Sequence, residues 1–148
     1  MTKTSITLLI GFVMKISARC KYALQAVLEM SKAPAGTVLK VADIAAKPHI
    51  PAEYLVQVLI LLKTAGIVES IRGKMGGYRL SRSPARITVA DVVEAVEGTG
   101  QPAEGIGGAV LEVLSRADEA SKSVLDETTF ADLLAKELER RQSPSYAI

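Results

Sequence analysis

Histidine and cysteine, the side chains most often used in catalysis and metal binding, each occur once in this sequence. His49 lies in a proline-flanked segment, and Cys20 shares helical spacing with the apolar residues Ile16 and Leu24. A zinc site needs several such ligands, and nucleophilic catalysis needs a histidine with matched partners. We therefore predict a turn residue at position 49 and a buried thiol at position 20. We predict no metal site, no cofactor and no enzyme activity.

Two glycine-rich segments could hold an anion. Residues 73–77, Gly-Lys-Met-Gly-Gly, lack P-loop spacing and precede a predicted strand, so they predict a hairpin tip. Residues 105–108, Gly-Ile-Gly-Gly, precede a predicted helix whose N-terminus could seat an anion. No strand comes before them, and a linker is the favoured interpretation.

Charge is divided unequally along the chain. Residues 14–86 hold twelve Lys and Arg against four acidic residues, a net charge of +8. Residues 87–148 hold five Lys and Arg against twelve acidic residues, a net charge of −7. A basic half of this kind is typical of proteins that bind a polyanion, although chance surface charge is the alternative.

Polar residues near the start of one predicted helix are candidates for base contacts. Gln57 can pair bidentately with adenine, Glu53 can accept from cytosine N4, and Tyr54 can contact a phosphate or a thymine methyl. The alternative is that these are ordinary exposed positions. The next residues along the helix favour base contact, because Leu55, Val58, Leu59 and Leu62 would commit the other face to the core.

Further candidates for DNA contact lie at the predicted hairpin tip and at the start of the first helix. A narrow tip can enter a minor groove, and free backbone N–H groups at a helix start can help hold phosphates. The hairpin candidates are Arg72, Lys74, Gly76 and Gly77, and the helix candidates are Ser17, Lys21 and also Arg19. For the hairpin alone, a solvated turn is the alternative.

Helical spacing and turn residues predict the elements that would position these candidates. A first helix is predicted after a Ser17 cap, a short helix around Val41–Ala45, and a third helix from about Pro51 to Lys63. A hairpin then follows, with strands at residues 67–71 and 78–80. The sequence predicts a mostly α fold with a small β-hairpin wing, which is a winged helix-turn-helix.

The C-terminal half predicts further helices. Thr88–Asp91 and Thr129–Asp132 resemble capping boxes, and a long helix is predicted over Ala109–Leu125. We expect an N-terminal extension at 1–13, a DNA-binding domain at 14–98, a linker at 99–108, and a dimerisation helix with a C-terminal helix at 109–148. The apolar run at 6–13, about eight residues, is shorter than the roughly 20 needed to span a bilayer, so no membrane partner is expected.

Five segments together resemble the IscR-like transcriptional regulators, also called the Rrf2 family: Met14–Ser17, Tyr22–Leu24, Val41–Ala45, Ile50–Leu55 and Arg72–Tyr78. The resemblance covers about residues 14–98, and its most specific part is Arg-Gly-Lys-Met-Gly-Gly-Tyr. It implies a homodimer whose subunits each carry a winged helix-turn-helix, joined by a long crossing helix. It also implies groove contacts by Tyr54 and Gln57 and a wing contact by Arg72. The dimerisation residues expected on the long helix are Val110, Val113, Leu114, Ala117, Ser121 and Val124.

Two departures from the family pattern affect what the resemblance implies. Iron–sulfur members often carry Glu one residue before the groove-facing Gln, where this chain has Val56. They also carry three cysteines in or just after the linker, and this chain has none between Thr99 and Leu111. A cluster needs such thiolates. We therefore expect a cluster-free member that senses a small molecule or a partner protein.

The leading hypothesis is a dimeric, cytoplasmic transcription regulator, a repressor that binds double-stranded DNA. Its third helix would enter the major groove and its wing the minor groove. The second hypothesis is a protein-interaction module that docks a metabolic enzyme through its acidic C-terminal half. An enzyme is the least favoured class, because no catalytic set of residues converges.

Overall fold

The computed structural model describes residues 16–98 and 107–142. The predicted extension at 1–13, most of the predicted linker and the last six residues of the chain lie outside these ranges. The described elements run α1 Ala18–Ser31, α2 Val41–Ala46, α3 Ala52–Thr64, β1 Val68–Ile71, β2 Gly77–Leu80, a 3-10 turn Pro84–Arg86, α4 Val89–Glu97, α5 Gly108–Glu127 and α6 Phe130–Gln142. The mostly helical fold with one hairpin is as predicted.

Local side-chain caps begin three of the helices. Ser17 accepts a hydrogen bond from the Cys20 N–H at 3.1 Å, at the start of α1. Thr88 and Asp91 form both bonds of a capping box before α4, at 3.0 and 2.9 Å. Thr129 and Asp132 do the same for α6. Since each cap satisfies backbone N–H groups that the helix leaves free, these starts could be located from sequence.

Helices α1 to α4 enclose a core built from aliphatic side chains. Val27 of α1, Ile44 of α2, Leu59 of α3 and Val92 of α4 are all fully buried. The turn between α2 and α3 is closed by His49, whose φ of 51° is positive. This confirms the turn role predicted for the histidine.

The hairpin is attached to the helices by a contact that the sequence pattern does not show. Strands β1 and β2 are antiparallel and pair Val68 with Leu80 and Ser70 with Tyr78. Leu39, just before α2, exchanges two backbone hydrogen bonds of 2.8 Å with Tyr78. Leu39 therefore pairs with β2 as a one-residue third strand. This pairing stabilises the hairpin, because a two-stranded hairpin alone is at best marginally stable in water.

The C-terminal helix packs back on the first part of the chain. Phe130 is fully buried in the same core as the helices before the hairpin. Thr88 and Thr129 form an isolated antiparallel bridge, and the Phe130 N–H donates to the Ile87 carbonyl at 2.9 Å. Helix α6 thus closes the base of the core formed by α1 to α4, whereas the longer α5 packs mainly along α4.

Helix α5 presents two different faces. Ser115 and Asp118 are buried on the inner face, and the Lys122 ammonium lies 3.6 Å from Glu94 of α4. The outer face carries exposed valines at positions 110, 113 and 124, with exposed fractions of 58%, 63% and 61%. Of the residues predicted for dimerisation, Val110, Val113, Ala117 and Val124 are exposed, whereas Leu114 and Ser121 are partly buried at the edge of this face. The helix begins at Gly108, one residue before the predicted start.

Candidate nucleic-acid interface

Helix α3 separates its side chains cleanly between core and surface. Leu55, Val58, Leu59 and Leu62 are fully buried. The opposite side of the helix carries Glu53 and Gln57, both exposed and one turn apart. Glu53 also lies in the first turn, where a carboxylate is favoured by the helix dipole. The structure therefore leaves both predicted base-contacting groups accessible at the N-terminal part of α3.

Tyr54 has a structural partner on α1. Its ring centroid lies 5.2 Å from that of Tyr22, with the planes tilted by 42°. The Tyr54 side chain is still 36% exposed. This aromatic contact holds the start of α3 against α1, so that the candidate contacts on the two helices keep a fixed relation.

A shallow depression of about 540 Å³ joins the starts of α1 and α3 to the end of α4. It is lined by Ser17, Ala18, Arg19, Tyr54, Gln57, Val96 and Glu97. Arg19 and the neighbouring Lys21 are exposed. The residues predicted to contact DNA on α1 and on α3 thus lie at one surface, together with the Glu97 carboxylate of α4.

Ser17 is more heavily engaged than its prediction as a phosphate contact implies. Its hydroxyl accepts from the Cys20 N–H and donates to Glu97 Oε1 at 2.7 Å. The only hydroxyl hydrogen is therefore directed at a carboxylate. Glu97 was missed by sequence reasoning, because it lies 80 positions from Ser17 and belongs to the acidic half.

The wing carries two exposed cations at its tip. Arg72 and Lys74 are exposed, and the Lys74 carbonyl accepts a hydrogen bond from the Lys40 ammonium at 3.0 Å. Lys40 was not among the predicted site residues, and only the basic charge of its segment could have indicated it. Arg79 instead forms an ion pair with Glu69 across the strands at 2.9 Å. Because Glu69 partly neutralises its charge, Arg79 is less available to bind a polyanion.

Gly76 and Gly77 shape the wing through their backbones. A Cβ at Gly76 would clash with the Ile71 carbonyl oxygen, and one at Gly77 would clash with the Leu39 carbonyl oxygen. Gly77 also has a positive φ of 156°. The close approach that these glycines permit is made by the chain itself, so the structure gives both a shaping role in the wing.

The chain does not offer the thiolates that an iron–sulfur cluster needs. Its one cysteine, Cys20, is fully buried. Burial raises the pKa of the Cys20 thiol to about 11, and the nearby Glu97 carboxylate adds to the effect. Among residues 16–98 and 107–142, no group of three or more His, Cys, Asp or Glu side chains is arranged to hold a metal ion. These donors do not fit a cluster.

A basic segment, a helix-turn-helix with an exposed polar face, and an anchored hairpin define a winged helix-turn-helix protein, a DNA-binding class. The sequence profile of the Rrf2 family, described as iron-dependent transcriptional regulators, matches residues 16–136. The chain belongs to this family, and the predicted family is confirmed.

Several relatives resemble the chain over most of its length. CymR of Bacillus subtilis, an HTH-type transcriptional regulator, is 37% identical over 81% of this chain and 89% of its own. A Mycobacterium tuberculosis protein named for the same class is 36% identical over 81% of each chain. Two solved structures share the fold. IscR of T. potens has a TM-score of 0.76 and 29% identity, and the match covers 89% of this chain and 94% of that one. CymR of B. subtilis, titled the global cysteine regulator, has a TM-score of 0.73 and 34% identity, and the match covers 82% of this chain and 97% of that one.

The protein is therefore a DNA-binding transcriptional regulator of the winged helix-turn-helix class. The second hypothesis, an enzyme-docking module, is not favoured, because the relatives are named as transcriptional regulators. Within the described part of the chain, no helix has both the length and the apolar character needed to cross a bilayer.

Proposed function

We propose that this protein is a homodimeric repressor that contacts the major groove with α3 and the minor groove with the wing. The observation that carries the proposal is the exposed face of α3, where Glu53 and Gln57 stand opposite a fully buried aliphatic face. The protein acts by binding and not by catalysis, in the cytoplasm where its operators are.

The α3 face supplies groups suited to base edges. Gln57 would pair with adenine and Glu53 with the cytosine amino group, since these pairings match the pattern of the major groove. Tyr54 lies at the rim against Tyr22, where its hydroxyl would reach a phosphate. Lys21 would neutralise a phosphate near the start of α1, because its side chain is exposed there.

The wing would place Arg72 at a minor groove. Arginine is favoured where that groove is narrow and its negative potential is strong. Lys74 would lie beside the backbone phosphates, and its main chain is held by Lys40. This hydrogen bond would restrain the main chain of the wing next to Arg72, which would reduce the entropy lost on binding.

The signal that controls DNA binding would not be an iron–sulfur cluster. A small molecule or a partner enzyme would instead bind the protein and change its affinity for DNA. The acidic C-terminal half would face away from the DNA phosphates and hold the two subunits together. A dimer would then bind two half-sites of a pseudo-palindromic operator.

The test begins with duplexes selected from a random pool by the full chain. Affinity measured by fluorescence anisotropy should fall linearly on a log–log plot as salt rises, by about 0.9 in slope for each phosphate neutralised. Arg72→Ala should weaken binding by about tenfold. Arg140→Ala, an exposed arginine of α6 in the acidic half, is the matched control and should leave affinity unchanged. A salt-independent affinity, or an Arg72→Ala variant that binds like its control, would contradict the proposal.

Repression has its own test. With the selected duplex placed across a promoter, added protein should lower transcription in vitro by excluding the polymerase. An increase in transcript would contradict the repressor assignment while leaving DNA binding intact.

A further inference from the structure

The exposed face of α3 contains two aliphatic side chains that the contacts discussed so far do not use. Val56 is 49% exposed and Ile60 is 55% exposed, although the four core residues of the same helix are fully buried. They are four residues apart and so lie one above the other on the helix surface. Two neighbouring apolar side chains within a polar contact surface are suited to a partner that presents an apolar group there.

The position of this pair ties it to the base-contacting groups. Glu53 precedes Val56 by three residues and Gln57 by four, and Ile60 follows Gln57 by three, so all four share one side of α3. Val56 is adjacent to Gln57 in the N-terminal half of the helix, the part that contacts base edges in this class. The apolar pair is therefore continuous with the proposed base-contacting surface.

The major groove offers one apolar group, the 5-methyl of thymine. Valine suits it, because its branched side chain has one strongly preferred rotamer in a helix and so presents its methyl groups at a fixed place. A flat protein partner is less well matched, since charged and amide groups at 53 and 57 interrupt the apolar area.

We propose that Val56, extended by Ile60, selects operators that carry a thymine methyl beside the base contacted by Gln57. This inference rests on the proposed function, since it requires α3 to lie in the major groove. It makes Val56 a specificity-determining residue, with the preference set by methyl contact rather than by hydrogen bonding.

The experiment uses the duplex selected by the wild-type chain and replaces its thymines, one at a time, with deoxyuridine. This change removes only the methyl group. At one position in each half-site, affinity should fall by about fourfold for each methyl that loses its contact. In Val56→Ala the same replacement should have no effect at that position. This variant should fold, because alanine has the higher helix propensity and the site is exposed.

Leu138→Ala is the matched control, since Leu138 is an aliphatic residue of α6 with a similar exposed fraction of 58%. Its ratio of thymine to deoxyuridine affinity should equal that of the wild type. Tight, salt-dependent binding with no sensitive thymine would overturn the inference and leave the proposed function standing. A sensitive thymine whose effect persists in Val56→Ala would overturn it as well. If the wild type retains no duplex, the proposed function itself fails.

Discussion

At the scale of single residues, the one cysteine of the chain is placed where its thiol is hard to ionise. Cys20 has no exposed surface and lies between the apolar side chains of the core and the Glu97 carboxylate. The thiolate is the reactive form of cysteine, so a raised pKa makes this thiol inert. The structure therefore gives Cys20 a packing role and not a redox-sensing one.

Alkylation by iodoacetamide checks this placement. The native protein should remain almost unmodified at pH 8, and its reaction should increase only as pH approaches about 11, the raised pKa of Cys20. The guanidinium-unfolded chain, in which the pKa returns to its ordinary value, serves as the control. Equal rates for the native and unfolded chains at pH 8 would contradict a buried, protonated thiol.

The same shift has a consequence for stability with a definite sign. Between the ordinary pKa of 9.0 and about 11, the folded state keeps a proton that the unfolded state has lost. The free energy of unfolding should therefore fall as pH rises through this window. Chemical denaturation at pH 8 and pH 10 should show a smaller decrease for Cys20→Ala than for the wild type, and an equal decrease would contradict the assignment.

Gly77 is a residue whose substitution should be costly for a reason other than DNA contact. Alanine there would place a Cβ against the Leu39 carbonyl oxygen and at a φ of 156°. We expect the free energy of unfolding to fall by about 1 to 3 kcal/mol. Gly108→Ala is the control: it lies in the first turn of α5 with open space around it, and should be neutral or mildly stabilising. Equal denaturation midpoints for the two variants would argue against the backbone clash.

At the scale of elements, sequence reasoning succeeded where the determinant is local. The cap residues Ser17, Thr88 and Thr129 each mark the start of a helix, and each makes the hydrogen bond expected of it. Contacts between distant segments were not foreseeable. The bridge of Leu39 to Tyr78 and the burial of Phe130 depend on tertiary packing, which has no fixed spacing in sequence.

The candidate site was foreseeable to a similar degree. Helical periodicity separated the exposed Gln57 from its buried neighbours, because one period governs both faces. It could not reveal that Glu97 would lie beside Ser17, since that contact joins the start of α1 to the end of α4. The sequence therefore indicates which side of α3 is exposed, whereas the electrostatic surroundings of that side come from the fold.

The contact between α1 and α4 leads to a prediction about DNA affinity. The Glu97 carboxylate, beside Ser17 and in the same depression as Arg19, should repel an approaching phosphate. Glu97→Gln removes the charge but keeps an acceptor for Ser17, so affinity for the selected duplex should increase by a few-fold, on the order of 1 kcal/mol. Glu139→Gln, an exposed carboxylate of α6, is the control and should bind as the wild type does. Anisotropy titrations at one salt concentration compare the three proteins, and unchanged affinity of Glu97→Gln would show that this carboxylate lies outside the phosphate path.

At the scale of the whole molecule, charges of opposite sign are divided between the two halves of the chain. The basic half, with its net charge of +8, carries α3 and the wing, whereas the acidic half carries α5 and α6. A second copy approaching through the basic half would bring like charges together, and it would block the surface proposed for DNA. We therefore expect pairing through the outer face of α5, which carries three exposed valines on a helix whose 20 residues extend about 30 Å.

A single charge in this face should separate the subunits. Val113 is 63% exposed, so Val113→Glu should leave each subunit folded while placing a carboxylate in what would be an apolar interface. In a two-fold dimer the change acts twice, because the same patch is used by both copies. Light scattering after gel filtration should give the mass of a monomer. The affinity for a duplex with two half-sites should fall by at least tenfold, whereas the affinity for a single half-site should stay near that of the wild type. Leu138→Glu, also at an exposed leucine but on α6, should remain dimeric. A dimeric Val113→Glu protein would show that the subunits pair through another surface.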